Sequence, residues 1–407
     1  MRANFKDYTN PDLPAPVSAP WRKFPPYYFV GGNNDPDSLP VDLLADACDK
    51  VLRREGRTLA TYSLESGPQG YLPLRDFLVS KLRNYAGINC TSDEILLTSG
   101  SLQAIDLINE ALISQHSTVI VEESNYGGVL SRLNRLGVTM VPIAVDQHGM
   151  ITSQLETTLA ELKQRGIKPA YIYSIPTVHN PTGSIMSVER RQQLIDLAVE
   201  YDIPIFEDEC YADLVWSGER PPSLYAMDKT ARVIHIGSFS KTIAPALRVG
   251  YVVADWSVIS QLLALKTDAG SGSLEQMLLG EYCATHFDQH VASLNQNLKA
   301  KLDTLCACID QEFGTTAEYT VPPGGIFIWI KLPAQVDTRV LEAAAAKEGV
   351  AINPGHEWSL QKDASRYLRL CFASPDHKSI EDGIAKLAAI CYREFGVPAH
   401  GQNQPRA

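Results

Sequence analysis

Between residues 95 and 255, short continuous apolar runs alternate with segments of helical period, and that alternation leaves few folds open. The run at 95–97 precedes an expected helix over 101–114, and 118–121 precedes one over 128–136. The run at 138–145 precedes 155–163, and 171–175 precedes 188–200. Ile203-Pro204-Ile205-Phe206 ends in an acidic cluster, and runs at 233–236 and 249–253 complete seven strands. Strands that are apolar on both faces need cover on both faces, which a mostly parallel sheet between helices provides. Ligands of such α/β sheets bind outside the carboxyl ends of the strands. The chemistry is therefore sought in the residues that follow each run.

After residue 287 the pattern changes. A helical stretch over 289–313 leads to Gly325-Ile326-Phe327-Ile328-Trp329-Ile330, a helix over 337–348, strands at 350–352 and 368–372, and a helix over 380–394. This reads as a smaller α+β domain, and 407 residues are enough for two cores. The expected division is an arm over 1–45 that joins the small domain, a large domain over 46–287, a small domain over 288–396 and a mobile tail over 397–407.

The formal net charge of -11 offers no basic excess for nucleic acid or an anionic membrane. No stretch reaches membrane-spanning length, and the first forty residues hold no apolar core of signal-peptide length. Cys48, Cys90, Cys210, Cys283, Cys306, Cys308, Cys371 and Cys391 follow no framework spacing, and no histidine or second pair completes a zinc pattern. They read as reduced packing residues of a cytoplasmic protein, and no metal is expected.

Six features follow the strands. Thr98-Ser99-Gly100-Ser101 opens a helix whose first amides can face an anion; a simple serine cap is the ordinary alternative. Tyr126 could stack on a ring, and Asn180 in His179-Asn180-Pro181-Thr182-Gly183 could donate to a phenolate oxygen. Phe206-Glu207-Asp208-Glu209-Cys210-Tyr211 offers a carboxylate at a strand end, which needs a cationic partner if buried. Gly237-Ser238-Phe239-Ser240-Lys241 places an amine beside two hydroxyls, with Arg248 seven residues on. Desolvation there lowers a lysine pKa and frees the amine for imine chemistry. Arg369 lies inside the apolar run Tyr367-Leu368-Arg369-Leu370-Cys371-Phe372, where it must meet a carboxylate, from a ligand or from the protein.

In this order the features resemble the class I, fold type I pyridoxal-phosphate aminotransferases, nearest the 2-aminoadipate aminotransferase-like branch. The likeness spans residues 28–392 and includes Gly31-Gly32 with Pro36, Gly67-Pro68-Gln69-Gly70-Tyr71, Pro323-Gly324-Gly325 and Asn353-Pro354-Gly355. It implies an α/β fold, with a mostly parallel seven-stranded sheet between helices plus a smaller α+β domain. It implies that pyridoxal 5'-phosphate is bound covalently by Lys241, with Asp208 at the ring nitrogen and Tyr211 and Asn180 at the phenolic oxygen. Tyr126 would stack on the ring, and Gly100, Ser101, Leu102, Ser238 and Arg248 would hold the phosphate. Arg369, with Asn180 and Gly32, would bind the substrate. Tyr62 would reach a partner subunit's phosphate in a homodimer.

The resemblance implies an aminotransferase that moves an amino group between an L-amino acid and a 2-oxo acid by a ping-pong route. A racemase, β-lyase, decarboxylase or oxidase on the same fold would share Lys241 and Asp208. A regulator with a helix-turn-helix segment ahead of such a domain is a remoter reading. Ala246, the segment 354–358 and Gly32-Asn33-Asn34-Asp35 depart from the family pattern, and Tyr28, Asn34 and Trp358 are the candidates for the substrate pocket.

Overall fold

A computed structural model describes residues 8–9 and 20–398. The seven runs form one sheet: β1 (Ile95–Thr98), β2 (Thr118–Glu122), β3 (Thr139–Ile143), β4 (Ile172–Ser174), β5 (Ile205–Asp208), β6 (Val233–Ser238) and β7 (Gly250–Val253). The spatial order is β1-β7-β6-β5-β4-β2-β3. All strands are parallel except β7, which runs antiparallel between β1 and β6.

Alternate residues of each strand face opposite layers, as the pleat requires. Leu96, Val121, Tyr173, Phe206, Ile234 and Val252 pack with the helices Ser101–Leu112, Gly127–Arg135 and Trp256–Leu265. On the other face, Ile120, Ile172, Ile205 and Val233 meet Thr152–Gln164 and Val188–Glu200, and Leu97 and Val253 meet Leu72–Ala86. Each fully buried aliphatic side chain stabilises by about 1.5–3 kcal/mol, so these layers fix the sheet's register.

Two elements differ from expectation. The run at 138–145 breaks after Ile143 into a hairpin of Val145–Asp146 with Gly149–Met150. The helix expected from 289 begins at Ser273 and runs to Glu312. Its first turns bury Gln276, Met277, Leu279, Gly280, Tyr282 and Cys283, on too many sides to leave an amphipathic period. This helix is about 60 Å long at 1.5 Å per residue. Its first half packs into the core beside β1 and its second half into the core of the smaller sheet.

That sheet comprises β8 (Glu318–Tyr319), β9 (Phe327–Lys331), β10 (Asn353–Pro354) and β11 (Tyr367–Cys371), in the antiparallel order β8-β9-β11-β10. Thr338–Lys347 and His377–Phe395 cover it. Val350–Ala351 does not join it; it pairs in parallel with Tyr27–Tyr28 of the N-terminal arm. The tail expected to be mobile lies, from residue 399, outside the described residues. Among the described residues no helix is long and apolar enough to cross a membrane, and the eight cysteines are free thiols.

Candidate active site

The loops leaving β1, β2, β4, β5 and β6 meet at the carboxyl end of the large sheet. The smaller sheet and the residues 30–32 close the space above them, leaving a cavity of about 370 Å³. Of the residues singled out from the sequence, Gly32, Ser101, Leu102, Tyr126, Asp208, Tyr211, Ser238, Lys241, Arg248 and Arg369 line it.

At the exit of β1, Gly100 has φ 78 and starts the helix Ser101–Leu112. A side chain there would be strained, and its Cβ would collide with the Arg248 guanidinium. Arg248, itself left-handed, donates to the carbonyls of Pro245 at 3.0 Å and Ser99 at 3.4 Å. Helix-start amides and a guanidinium thus converge on one spot, a cradle for an anion.

β6 ends at Ser238, and Lys241 follows in the turn. Its Nζ donates to the Gly32 carbonyl at 3.0 Å. Burial lowers the pKa of this amine. A Cβ at Gly32 would meet Lys241 Nζ and push the amine from this carbonyl.

β5 ends at Asp208. Strand alternation sends its neighbours the other way: Glu207 pairs with His235 at 2.8 Å, and Glu209 pairs with Arg220 at 3.2 Å. A histidine therefore does face the acidic cluster, but as the partner of Glu207. Asp208 accepts from the Tyr173 hydroxyl at 2.7 Å and the Cys210 amide at 3.1 Å. No lysine or arginine pairs with it among the described residues. Burial raises its pKa, and the two hydrogen bonds work against that.

Asn180 sits beyond β4, before a cis peptide bond to Pro181. Its amide donates to the Tyr211 hydroxyl at 3.1 Å, and its carbonyl accepts from Arg369 Nη1 at 3.1 Å. Glu122, at the end of β2, pins this loop through His179 at 3.2 Å and the Ile175 amide at 3.0 Å. His179 is thus structural. Tyr126 precedes the helix Gly127–Arg135 and lies 5.9 Å, centroid to centroid, from Trp358.

Arg369 comes from β11. Its guanidinium lies between the rings of Phe327 and Trp358, 3.7 and 3.4 Å from their centroids. Nη2 donates to Asn353 at 2.8 Å and to the Gly31 carbonyl at 3.4 Å. Nε is buried without a partner, and no carboxylate pairs with this arginine among the described residues. Burial pushes its pKa down to about 10, so it is charged at neutral pH. Of the two readings of an arginine in an apolar strand, the protein-internal ion pair is not what the geometry displays.

Tyr62 is 85% exposed and outside the cavity, in a turn where Ser63, Leu64 and Glu65 all have positive φ. The polar run after Gly32 also points elsewhere. Asn34 donates to the Ile243 carbonyl, and Asp35 forms an ion pair of 2.6 Å with buried Lys301. Tyr28 packs on Phe24 at 4.8 Å and is not part of the lining, whereas Trp358 is. Cys210, Phe327 and Tyr173 were not legible as site residues, since each reads as an ordinary apolar packing position. Strand alternation alone hints at Tyr173 and Phe327.

A phosphorylated pyridine aldehyde fits these donors. The buried Asp208 carboxylate lacks a cation, Lys241 offers an amine that burial makes less basic, and the Gly100 turn with Arg248 offers an anion cradle.

The model of the family described as aminotransferase class I and II matches residues 32–387. The aromatic-amino-acid aminotransferase 1 of Thermococcus litoralis is 32% identical over 370 residues, 90% of this chain and 88% of that protein. The HTH-type transcriptional regulator YdfD of Bacillus subtilis is 34% identical over 327 residues, 79% of this chain and 66% of the regulator. Among solved structures, the α-aminoadipate aminotransferase LysN from Thermus thermophilus, complexed with N-(5'-phosphopyridoxyl)-L-leucine, superposes with a TM-score of 0.83. It has 29% identity over 91% of this chain and 92% of that one. The chain belongs to the class I and II aminotransferases. It is an enzyme of fold type I that carries out transamination with pyridoxal 5'-phosphate.

Proposed function

We infer that this enzyme transaminates L-amino acids with large uncharged side chains, aromatic ones foremost, by a ping-pong route. One observation carries the reading. Three cations line the cavity, Lys241, Arg248 and Arg369, and each has a use before the substrate side chain is reached. The apolar and aromatic walls include Val30, Leu102, Tyr126, Ile175, Phe327 and Trp358, and the polar remainder, Ser101, Asp208, Tyr211, Ser238, Ser240 and Asn353, adds no positive charge. No fourth cation lines the cavity among the described residues to receive a side-chain carboxylate. The likeness to an aromatic-amino-acid aminotransferase agrees with this.

When bound, the cofactor supplies an electron sink for the pair left as the α-proton departs, and it stores the amino group between half-reactions. The residues then divide the work. Arg248, Ser238, Gly100, Ser101 and Leu102 hold the phosphate, and Tyr126 packs on the ring face. Asp208 holds a proton at the ring nitrogen by charge pairing. Asn180 and Tyr211, already joined by a hydrogen bond, orient the phenolic oxygen. Arg369 grips the substrate α-carboxylate as a fork, beside the Gly32 backbone. Lys241, whose charged form burial disfavours, would take the proton from Cα and return it one carbon away.

The domain division at residues 45, 287 and 396, a homodimer in which Tyr62 enters the partner's site, and a cytoplasmic setting complete the reading. The exposure of Tyr62 supports the second of these.

Presenting single L-amino acids to the holoenzyme tests the substrate class, with loss of visible absorbance and release of the oxo acid as readouts. Phenylalanine, tyrosine and leucine should react at least tenfold faster, by kcat/KM, than aspartate or glutamate. An acidic donor reacting fastest overturns the class, and Lys241→Ala with wild-type turnover overturns the mechanism.

A further inference from the structure

We propose that Tyr173 is a positioning residue for the reaction, acting through Asp208 by donating its phenolic hydrogen to the carboxylate that faces the cofactor ring. This rests on the role assigned above to Asp208. Tyr173 is wholly buried on β4, and its Cα partner on β5 is Phe206. Period-2 alternation puts Tyr173, Phe206 and Asp208 on the same face of the sheet. Tyr173 packs edge-on against Phe206 at 5.1 Å, which fixes the ring and leaves the hydroxyl 2.7 Å from Asp208 Oδ2. The Cys210 amide takes Oδ1. With the weaker Cys210 thiol, the carboxylate's partners in the protein are a phenol, an amide and a thiol, none of them a cation.

The chemistry of this contact has a definite sign. Burial alone raises the proton affinity of Asp208, and the Tyr173 hydroxyl is the foremost influence lowering it. The phenol has its own pKa raised far above ordinary by burial, so it stays protonated and remains a donor. A carboxylate held less basic leaves the shared proton on the ring nitrogen, where the reaction needs it. Without the hydroxyl, Asp208 competes for that proton and is freer to turn.

The test is Tyr173→Phe, which keeps the ring and its packing, read beside Asp208→Asn and the double variant. A hydrogen bond to a charged group is worth about tenfold or more in equilibrium terms. The Phe variant should lower kcat about tenfold with KM within twofold, and raise the dissociation constant of pyridoxal 5'-phosphate from the apoprotein several-fold. The acid limb of its kcat profile should move to higher pH, because Asp208 is protonated sooner. In the Asp208→Asn background the same change should have little further effect. A Phe variant with wild-type cofactor affinity and an unmoved acid limb overturns the proposal, as does an equal loss in both backgrounds. Wild-type rates in Asp208→Asn alone overturn the role of Asp208 instead. Site-specific Tyr173→3-fluorotyrosine keeps the fold if the Phe variant does not. Its more acidic phenol should move the acid limb to lower pH, and a shift the other way counts against the proposal.

Discussion

The Arg369 guanidinium lies over the indole of Trp358, 3.4 Å from Cζ to ring centroid. Stacking of this kind holds the guanidinium without using its N–H groups; Asn180, Asn353 and the Gly31 carbonyl take three of them, and Nε keeps its hydrogen without a partner. A desolvated cation–π contact is worth up to about 2 kcal/mol. Trp358→Ala should therefore raise KM for amino and oxo acids about tenfold, and Trp358→Phe should recover most of it. Steady-state kinetics at fixed cofactor saturation check this.

Arg369→Ala removes the fork itself. The kcat/KM for phenylalanine should fall by about a hundredfold or more, the usual scale for losing a buried charge pair. Phenethylamine, which lacks the carboxylate, should be used no worse than by the parent. Comparing the two donors separates carboxylate recognition from general damage.

Asp208 is buried with its pKa raised, and that has a stability sign. A carboxyl whose folded pKa exceeds its unfolded one weakens the fold once pH rises through the folded value, because the cost of burying the charge falls only on the native state. Asp208→Asn should raise the melting temperature of the apoprotein at pH 7 by about 2 °C per kcal/mol regained, while lowering turnover by orders of magnitude. At pH 4 the gain should shrink. Calorimetry of both apoproteins across pH reads it.

Lys81 and Asp213 form a buried ion pair of 2.8 Å, and Asp213 also holds Arg220 at 3.0 Å. Lys81→Ala leaves Asp213 short of one cation in the interior and should cost about 3 kcal/mol. Denaturant unfolding of the apoprotein measures the change.

Arg369 stood out as a charge inside an apolar run, whereas the sheet, its order of helices and the placing of Lys241 and Asp208 were legible because strand ends announce themselves in sequence. An apolar run stops, and a charged or small residue follows. What lay hidden obeys other physics. The first turns of the helix Ser273–Glu312 are buried on several sides, which erases the helical period. Phe327 and Tyr173 act through tertiary neighbours, and a buried aromatic on a strand looks the same whether or not its edge touches a functional group. Asn34 and Asp35 misled in the opposite direction, since these polar residues beside a pocket are engaged by a backbone carbonyl and by Lys301.

The reversed strand β7 has a consequence for synthesis. It slots between the first and sixth strands, and only thereby does Arg248 come to rest against Gly100, far earlier in the chain. A nascent polypeptide on the ribosome can translate the glycine turn early, yet the turn has no guanidinium until more than half the protein has emerged. The anion cradle therefore cannot be complete in any fragment that ends before residue 248.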